Sequence, residues 1–367
     1  MQFGIFDQND RGPDGLTEQY ENRLKLIEFY DAAGFRTYHM SEHHATPLSQ
    51  APSPGVFLAA VAQRTRRIRL GPLVYVLPAH HPLRLAEEIC MLDHLSRGRL
   101  EVGIGRGASP HELGYFGIDP EAAPAMYVEA FDVIKQALTR PEVDFHGKHY
   151  TFDNVPVEMK PAQLPHPPFW YAVPVPEGAA WPARNNINIV CAGPLAKVRE
   201  ITDRYRAEWA AAGQAPDRLP LVGINRFVIA ADTDAEAMAL GRRAWPVFHA
   251  SFMKLWNRHG TQPRYARMPG DFDTMVSNGA ALAGSPGTLR DRVTAMAGEV
   301  GANYFIAQFS FGDLSQPEVL HSAGIFAREL GSAAARARGA RGLRNRPKVP
   351  FRWNRNGTLD SLFDAFS

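Results

Sequence analysis

From its first residues this chain alternates short apolar runs with longer stretches whose apolar side chains recur every three to four positions. The segment 2–7, QFGIFD, has the length and composition of a buried strand. Leu16, Tyr20, Leu24, Ile27 and Tyr30 then trace one face of a helix that Gly34 should end. Strands at 36–40, 68–77 and 99–105 alternate with helices at 54–64, 82–96 and 124–139, so four βα units fill the first 140 residues. The second half continues with strands at 168–173, 187–192, 221–230 and 303–309. Its helices fall at 178–184, 195–212, 234–258 and 286–299, with a last one running to about 330. Eight strands separated by helices over some 330 residues suit a (β/α)8 TIM barrel better than a doubly wound sheet. The expected organisation is one barrel domain over 1–330 and a basic C-terminal extension over 331–367.

The departure from regular alternation that stands out is 232–285, between the seventh and eighth strands. An insertion there should sit over the barrel mouth and act as a lid. Its Trp245, Phe248, Phe252 and Trp256 lie at helical spacing, either as a core face or as a pocket wall.

Charge narrows the function classes. Lysine and arginine total 40 against 38 acidic residues, but eight of the basic ones fall within 334–355, leaving 32 against 38 elsewhere, about −6. The basicity belongs to the tail and gives no general field for nucleic acid. Two cysteines, Cys90 and Cys191, are too few for a disulfide framework. The start lacks a basic leader followed by an apolar run, and no 18-residue apolar stretch follows, so a cytoplasmic protein without membrane attachment is expected.

Catalytic groups of a barrel come from strand ends and the loops after them. Here these are HMSEHH at 39–44, PAHHP at 78–82 and GIGRGAS at 103–109. Five histidines in the first two segments raise the possibility of metal. The barrel hydrolases that hold zinc in this way resemble chains with a His-x-His pair ending the first strand and an aspartate at the last. Here those positions read Phe6-Asp7 and Gln308-Phe309-Ser310, so no metal is expected. Adjacent His43 and His44 cannot both face inward from a strand. Gly103, Gly105 and Gly107 approximate a dinucleotide fingerprint, but the third glycine is one position early and no helix pattern starts there. The segment still suits an anion, through close backbone approach and the guanidinium of Arg106, although a surface ion pair would explain Arg106 equally well. Phosphate-loop, nucleophile-elbow and His-Glu-x-x-His motifs are missing.

Taken together, MQFGIFD at the start, SEHH at 41–44, the block from Leu70 to Gly107, GSPGTLRDRV and QFSFGDL occur in the order and spacing of the bacterial luciferase-like flavin monooxygenases, which the chain resembles over about 1–330. The resemblance implies reduced FMN as cosubstrate and dioxygen activation through a C4a-peroxyflavin. His43 matches the catalytic base and Glu42 the acid before it. Arg106, with Gly107, matches the site for the FMN phosphate, and Leu73-Val74 falls where the family often has a non-prolyl cis peptide under the flavin. Glu87 matches a family acid for which a helix or subunit contact is the simpler role, and the helices at 54–64 and 82–96 are where relatives dimerise. With no reductase module or nicotinamide fingerprint in the chain, a separate NAD(P)H-dependent flavin reductase and a homodimer are expected.

Three departures from the family pattern are visible. Gly105 stands where several luciferases have a reactive cysteine. The loop 173–179 lacks the usual hydroxyls, leaving the backbone N–H groups of Glu177, Gly178 and Ala179 at a helix start to serve phosphate. The arginine-rich tail has no recognised counterpart. Phe6, His39, Tyr75, His80, Asn225, Arg226, Trp245 and Phe309 are the candidate substrate-pocket residues. Two rival readings use the same barrel: hydride transfer with a deazaflavin, and a flavin-binding partner subunit without catalysis.

Overall fold

The computed structural model describes residues 1–263 and 267–331; the basic extension expected beyond them lies outside the described residues. Strand β1 (Gln2–Asp7) leads into α1 (Leu16–Ala33), and Gly34, with φ of 86°, ends that helix by returning its N–H to the carbonyls of Tyr30 and Asp31. β2 (Thr37–Met40) and α2 (Pro54–Arg64) follow. The expected strand at 68–77 is two pieces, β3 (Arg69–Pro72) and β4 (Tyr75–Val76), and the Leu73–Val74 peptide between them is cis. Then come α3 (Pro82–Leu95), β5 (Val102–Gly105), a short unanticipated α4 (Pro110–Tyr115) and α5 (Ala123–Thr139).

A second departure, missed in the alternation, is the antiparallel hairpin of β6 (Glu142–His146) and β7 (Thr151–Pro156). The rest runs β8 (Phe169–Ala172), α6 (Ala180–Arg184), β9 (Asn188–Cys191), α7 (Leu195–Ala211) and β10 (Val222–Ala230). It continues with α8 (Asp234–Arg258), α9 (Phe272–Ser277), β11 (Ala281–Gly284), α10 (Pro286–Glu299), β12 (Tyr304–Gln308) and α11 (Gln316–Phe326).

All strands of the main sheet are parallel, in the order β3-β2-β1-β12-β10-β9-β8-β5-β4. A bridge between Leu70 and Leu100 brings the third stave back to the fourth, so the barrel is nearly closed. Side chains alternate along each stave. Ile5, Tyr38, Val102, Ile224 and Phe305 face outward under the helices, whereas Leu73, Trp170, Val190, Tyr304 and Ile306 fill the interior with Phe6 and Val74 against them. At the N-terminal end of the interior, Glu101 is fully buried and accepts Arg36 Nη1 at 2.6 Å, Arg69 Nε at 2.6 Å and Trp170 Nε1 at 2.8 Å. Burial pushes its carboxyl up, but the two guanidinium groups outweigh that and hold it below the usual range.

The segment 232–285 is built into the barrel wall. β11 pairs with Phe227–Ala230 of β10, and Trp245 and Phe248 of α8 are fully buried against Phe227 at ring distances of 4.9 and 5.0 Å. The aromatic stripe is therefore largely a core face, and cutting the segment out would expose the barrel's own apolar surface.

Candidate active site

β2 ends at Met40, and the following chain from Ser41 is irregular. Strand alternation no longer applies there, and His43 and His44 both border one small cleft at the end of the second stave. The cleft is also lined by Glu42, Val76, Gly107, Ser109, Glu112 and Phe116.

Each histidine has its own carboxylate. Glu112, on α4, accepts from His43 Nδ1 at 3.2 Å through Oε1 and takes the His44 backbone N–H at 2.7 Å through Oε2. Ser109 caps α4 through its side chain, and this fixes the helix turn that carries Glu112. Burial lowers the pKa of His43, yet the charge and hydrogen bond of Glu112 outweigh it and the net shift is upward. An imidazole held through Nδ1 keeps a defined ring orientation and directs Nε2, which has no partner among the described residues, to other work.

Glu42 does not bond His43. It is buried, and its two oxygens meet His44 Nε2 at 2.9 Å, His80 Nε2 at 3.0 Å and the Val76 N–H at 3.0 Å. Burial raises its pKa, but these contacts prevail and hold the carboxyl below the usual range. Glu42 is thus a buried anion that organises His44, His80 and the turn after β4, and it acts on His43 through its charge alone.

The sequence-based site residues scatter more widely than expected. Phe6, His39 and Asn225 face the barrel interior, as their register demands. Four others do not. Tyr75 turns outward and donates to Glu88 Oε1 at 2.8 Å. Arg226 neighbours inward-facing Asn225 and so points into the layer beneath the helices, where it is fully buried. Phe309 packs outward against Phe35 and Phe326. Trp245 is sealed in the α8 core with its Nε1 on the Pro269 carbonyl at 2.9 Å. Proximity to a strand end selected Tyr75, Arg226 and Phe309, but strand alternation decides which of two neighbours faces inward.

Two of the three glycines of 103–107 also have a role different from anion contact. A Cβ on Gly103 would lie 2.4 Å from the Pro72 carbonyl oxygen, and one on Gly105 would lie 2.4 Å from Val74 Cγ2, so both glycines admit the cis segment against β5. Gly107, with φ of 88°, turns the chain at the cleft wall. Arg106 is exposed beside Tyr171, whose hydroxyl burial pushes up and the guanidinium pulls down. The turn at 176–179 is a short 3-10 helix in which the Gly178 N–H is already given to the Val175 carbonyl and Ala179 is buried, so it presents fewer N–H groups than expected.

Glu112 was missed because the six-residue α4 has no readable periodicity; the S-P-x-E pattern of Ser109, Pro110 and Glu112 is the cap signal that marks it. α4 also touches the far end of α8: His111 and His259 stack at 4.1 Å, Tyr115 meets His259 Nε2 at 2.8 Å, and His111 meets Thr261 Oγ1 at 2.7 Å. Of the described residues, the group close enough to share a cation is Asp144, His146 and Asp153, exposed on the β6–β7 hairpin and separate from the histidine-rich mouth.

Glu112→Gln removes the charge that raises the pKa of His43. If neutral His43 is the active form, activity rises with pH through that pKa, and the variant's rising limb lies at lower pH than the parent's. The shift would appear in kcat/KM measured from pH 5 to 8. The stability contribution has the matching sign: for a raised histidine it is complete below its usual value near 6.5 and is lost as pH rises through the folded-state value.

A parallel barrel with an ionisable pair at the C-terminal mouth defines an enzyme architecture, and comparison with known proteins specifies which one. The family model described as "Luciferase-like monooxygenase" matches residues 1–303. An uncharacterised protein of Sinorhizobium fredii is 41% identical over 330 residues, covering 90% of this chain and 96% of that one. The oxygenase component of a flavin-dependent trigonelline monooxygenase from Acinetobacter baylyi is 32% identical over 193 residues, about half of each chain (52% and 53%). The crystal structure of monooxygenase RslO1 from Streptomyces bottropensis superposes with a TM-score of 0.82 at 27% identity, covering 91% of this chain and 100% of that one. The chain belongs to the luciferase-like monooxygenase family and is an oxidoreductase of that kind. No described helix is long and apolar enough to cross a membrane.

Proposed function

We propose that the protein is the oxygenase component of a two-component system that takes reduced FMN from a separate NAD(P)H-dependent flavin reductase and uses dioxygen to oxygenate a small organic molecule. The observation that carries this reading is the His43–Glu112 pair at the barrel mouth, in one cleft with Val76 and Gly107. These residues fit a flavin. Leu73 and Val74 present a nearly apolar face inside the barrel, Gly105 lets Val74 pack against β5, and Arg106 with Gly107 stands at the end of β5, where a phosphate would be held. Reduced FMN, when bound, would supply the electrons for activating dioxygen.

The chain's own residues do the rest. His43 Nε2 takes a proton from, or returns one to, the reacting group, while Glu112 fixes the ring and stabilises its charged form. Glu42 keeps the wall of the cleft rigid through His44, His80 and Val76. The contact of α4 with the end of α8 closes one side of the mouth and limits water entry. A homodimer through α2 and α3 is favoured by Val56, 78% exposed, and Met91, 55% exposed, on those helices, where Glu87 is also exposed.

The test is anaerobic titration with reduced FMN and with a reduced deazaflavin. FMN should bind more tightly, and Arg106→Ala should weaken it about 10–100-fold, the worth of one or two charge-assisted hydrogen bonds. A preference for the deazaflavin would replace oxygenation with hydride transfer as the reading.

A further inference from the structure

Above the Glu101 plug, the described inward-facing strand residues carry no formal charge at neutral pH. The ionisable ones among them are His39 and Tyr304: His39 is buried with its Nε2 3.2 Å from the Tyr304 hydroxyl, burial pushes its pKa down to about 4, and burial raises that of Tyr304. The same interior holds Phe6, Leu73, Val190 and Ile306, with Trp170 edge-on to the His39 ring at 5.0 Å. Two primary amides interrupt this apolar lining from neighbouring staves. In register, Asn225 of β10 lies beside Ile306, and Gln308 of β12 lies beside Phe227, so the amides sit diagonally across one strand pair. Gln308 is 1% exposed, and neither its Oε1 nor its Nε2 has a hydrogen-bond partner; the Oδ1 of Asn225 is buried and likewise unpartnered. Asn225 as a whole is half-buried and is the more accessible of the two, while Gln308 lies one level nearer the C-terminal end of the barrel. Orphaned buried amide atoms cost roughly 1–3 kcal/mol each and persist where another group completes them.

We infer that Asn225 and Gln308 are specificity-determining residues that select a neutral substrate bearing one hydrogen-bonding group, such as a carbonyl or hydroxyl, on an apolar body. A carboxylate or ammonium entering this part of the barrel would find no counter-charge and would lose its hydration. The inference rests on the monooxygenase reading for the presence of a substrate site, but not on the identity of the oxygenated product.

The test uses the protein loaded with reduced FMN under anaerobic conditions and calorimetric titration with four probes of one ring size: cyclohexanone, methylcyclohexane, cyclohexanecarboxylate and cyclohexylammonium. Cyclohexanone should bind, and the two charged probes should bind at least about 100-fold more weakly. Asn225→Leu and the near-isosteric Gln308→Met should each weaken cyclohexanone about tenfold while leaving methylcyclohexane and reduced FMN unchanged, and the retained FMN binding shows that the variants fold. Asn225→Asp should invert the preference towards cyclohexylammonium. Charged probes binding as well as cyclohexanone, no probe binding to the loaded protein, or an unchanged ratio of cyclohexanone to methylcyclohexane in the variants would each overturn the inference. Loss of reduced FMN from both variants would do so too, because the amides would then serve the flavin. Failure of the parent protein to bind reduced FMN at all would instead reject the proposed function.

Discussion

Replacing His43 with glutamine is expected to lower product formation about 10²–10⁴-fold, the usual contribution of a positioned acid or base, while the affinity for reduced FMN stays within about threefold. Glutamine keeps the size and a polar end near Glu112 but cannot take a proton from, or return one to, a reacting group. The flavin contacts proposed above belong to β3–β5 and Arg106, so they survive. Stopped-flow measurement of flavin oxidation, alongside product yield, separates the two quantities. A variant that retains more than a tenth of the parent rate would remove His43 from the chemistry and leave its pairing with Glu112 as a structural brace.

Gly71→Ala is expected to cost at least about 3 kcal/mol of stability, at the upper end of overpacking effects. A Cβ at this position would lie 1.8 Å from the backbone carbonyl oxygen of Glu101 and 2.8 Å from its carbonyl carbon. Both strands are fixed. Arg69 binds Glu101, the Leu70–Leu100 bridge joins the same staves, and Gly71 pairs with His39 on its other side. Relief requires opening the seam where the barrel closes, and a flexible side chain cannot absorb the clash by changing rotamer. At roughly 2–4 °C per kcal/mol for a chain somewhat smaller than this one, thermal unfolding should begin at least about 6 °C lower. A midpoint within about 2 °C of the parent would show that β3 and β5 can separate freely.

Much of the barrel was readable because each element carries its own signal. The helices 54–64, 234–258 and 286–299 are found at those boundaries, since Pro54, Thr233 and Pro286 mark their starts in the local chain. The elements missed have weak local signals. β11 is a four-residue strand of which three residues are small, and the edge of β10 supplies its pairing. The β6–β7 hairpin mixes exposed and buried positions without clean alternation and contains a register shift between Val143 and Phe145.

The order of strands and helices, the histidine-rich segment after the second strand and the glycines after the fourth were all legible in the chain. Periodicity, capping and turn chemistry act over a few residues, so they survive without coordinates. Contacts between distant segments do not. That His43 pairs with Glu112, 69 residues away, and not with adjacent Glu42 follows from the placement of α4 over the end of β2. The outward turn of Tyr75, Arg226 and Phe309 and the inward turn of Asn225 follow from strand register, which is settled when neighbouring staves pair and each bulky apolar side chain must choose the interior or the helix layer.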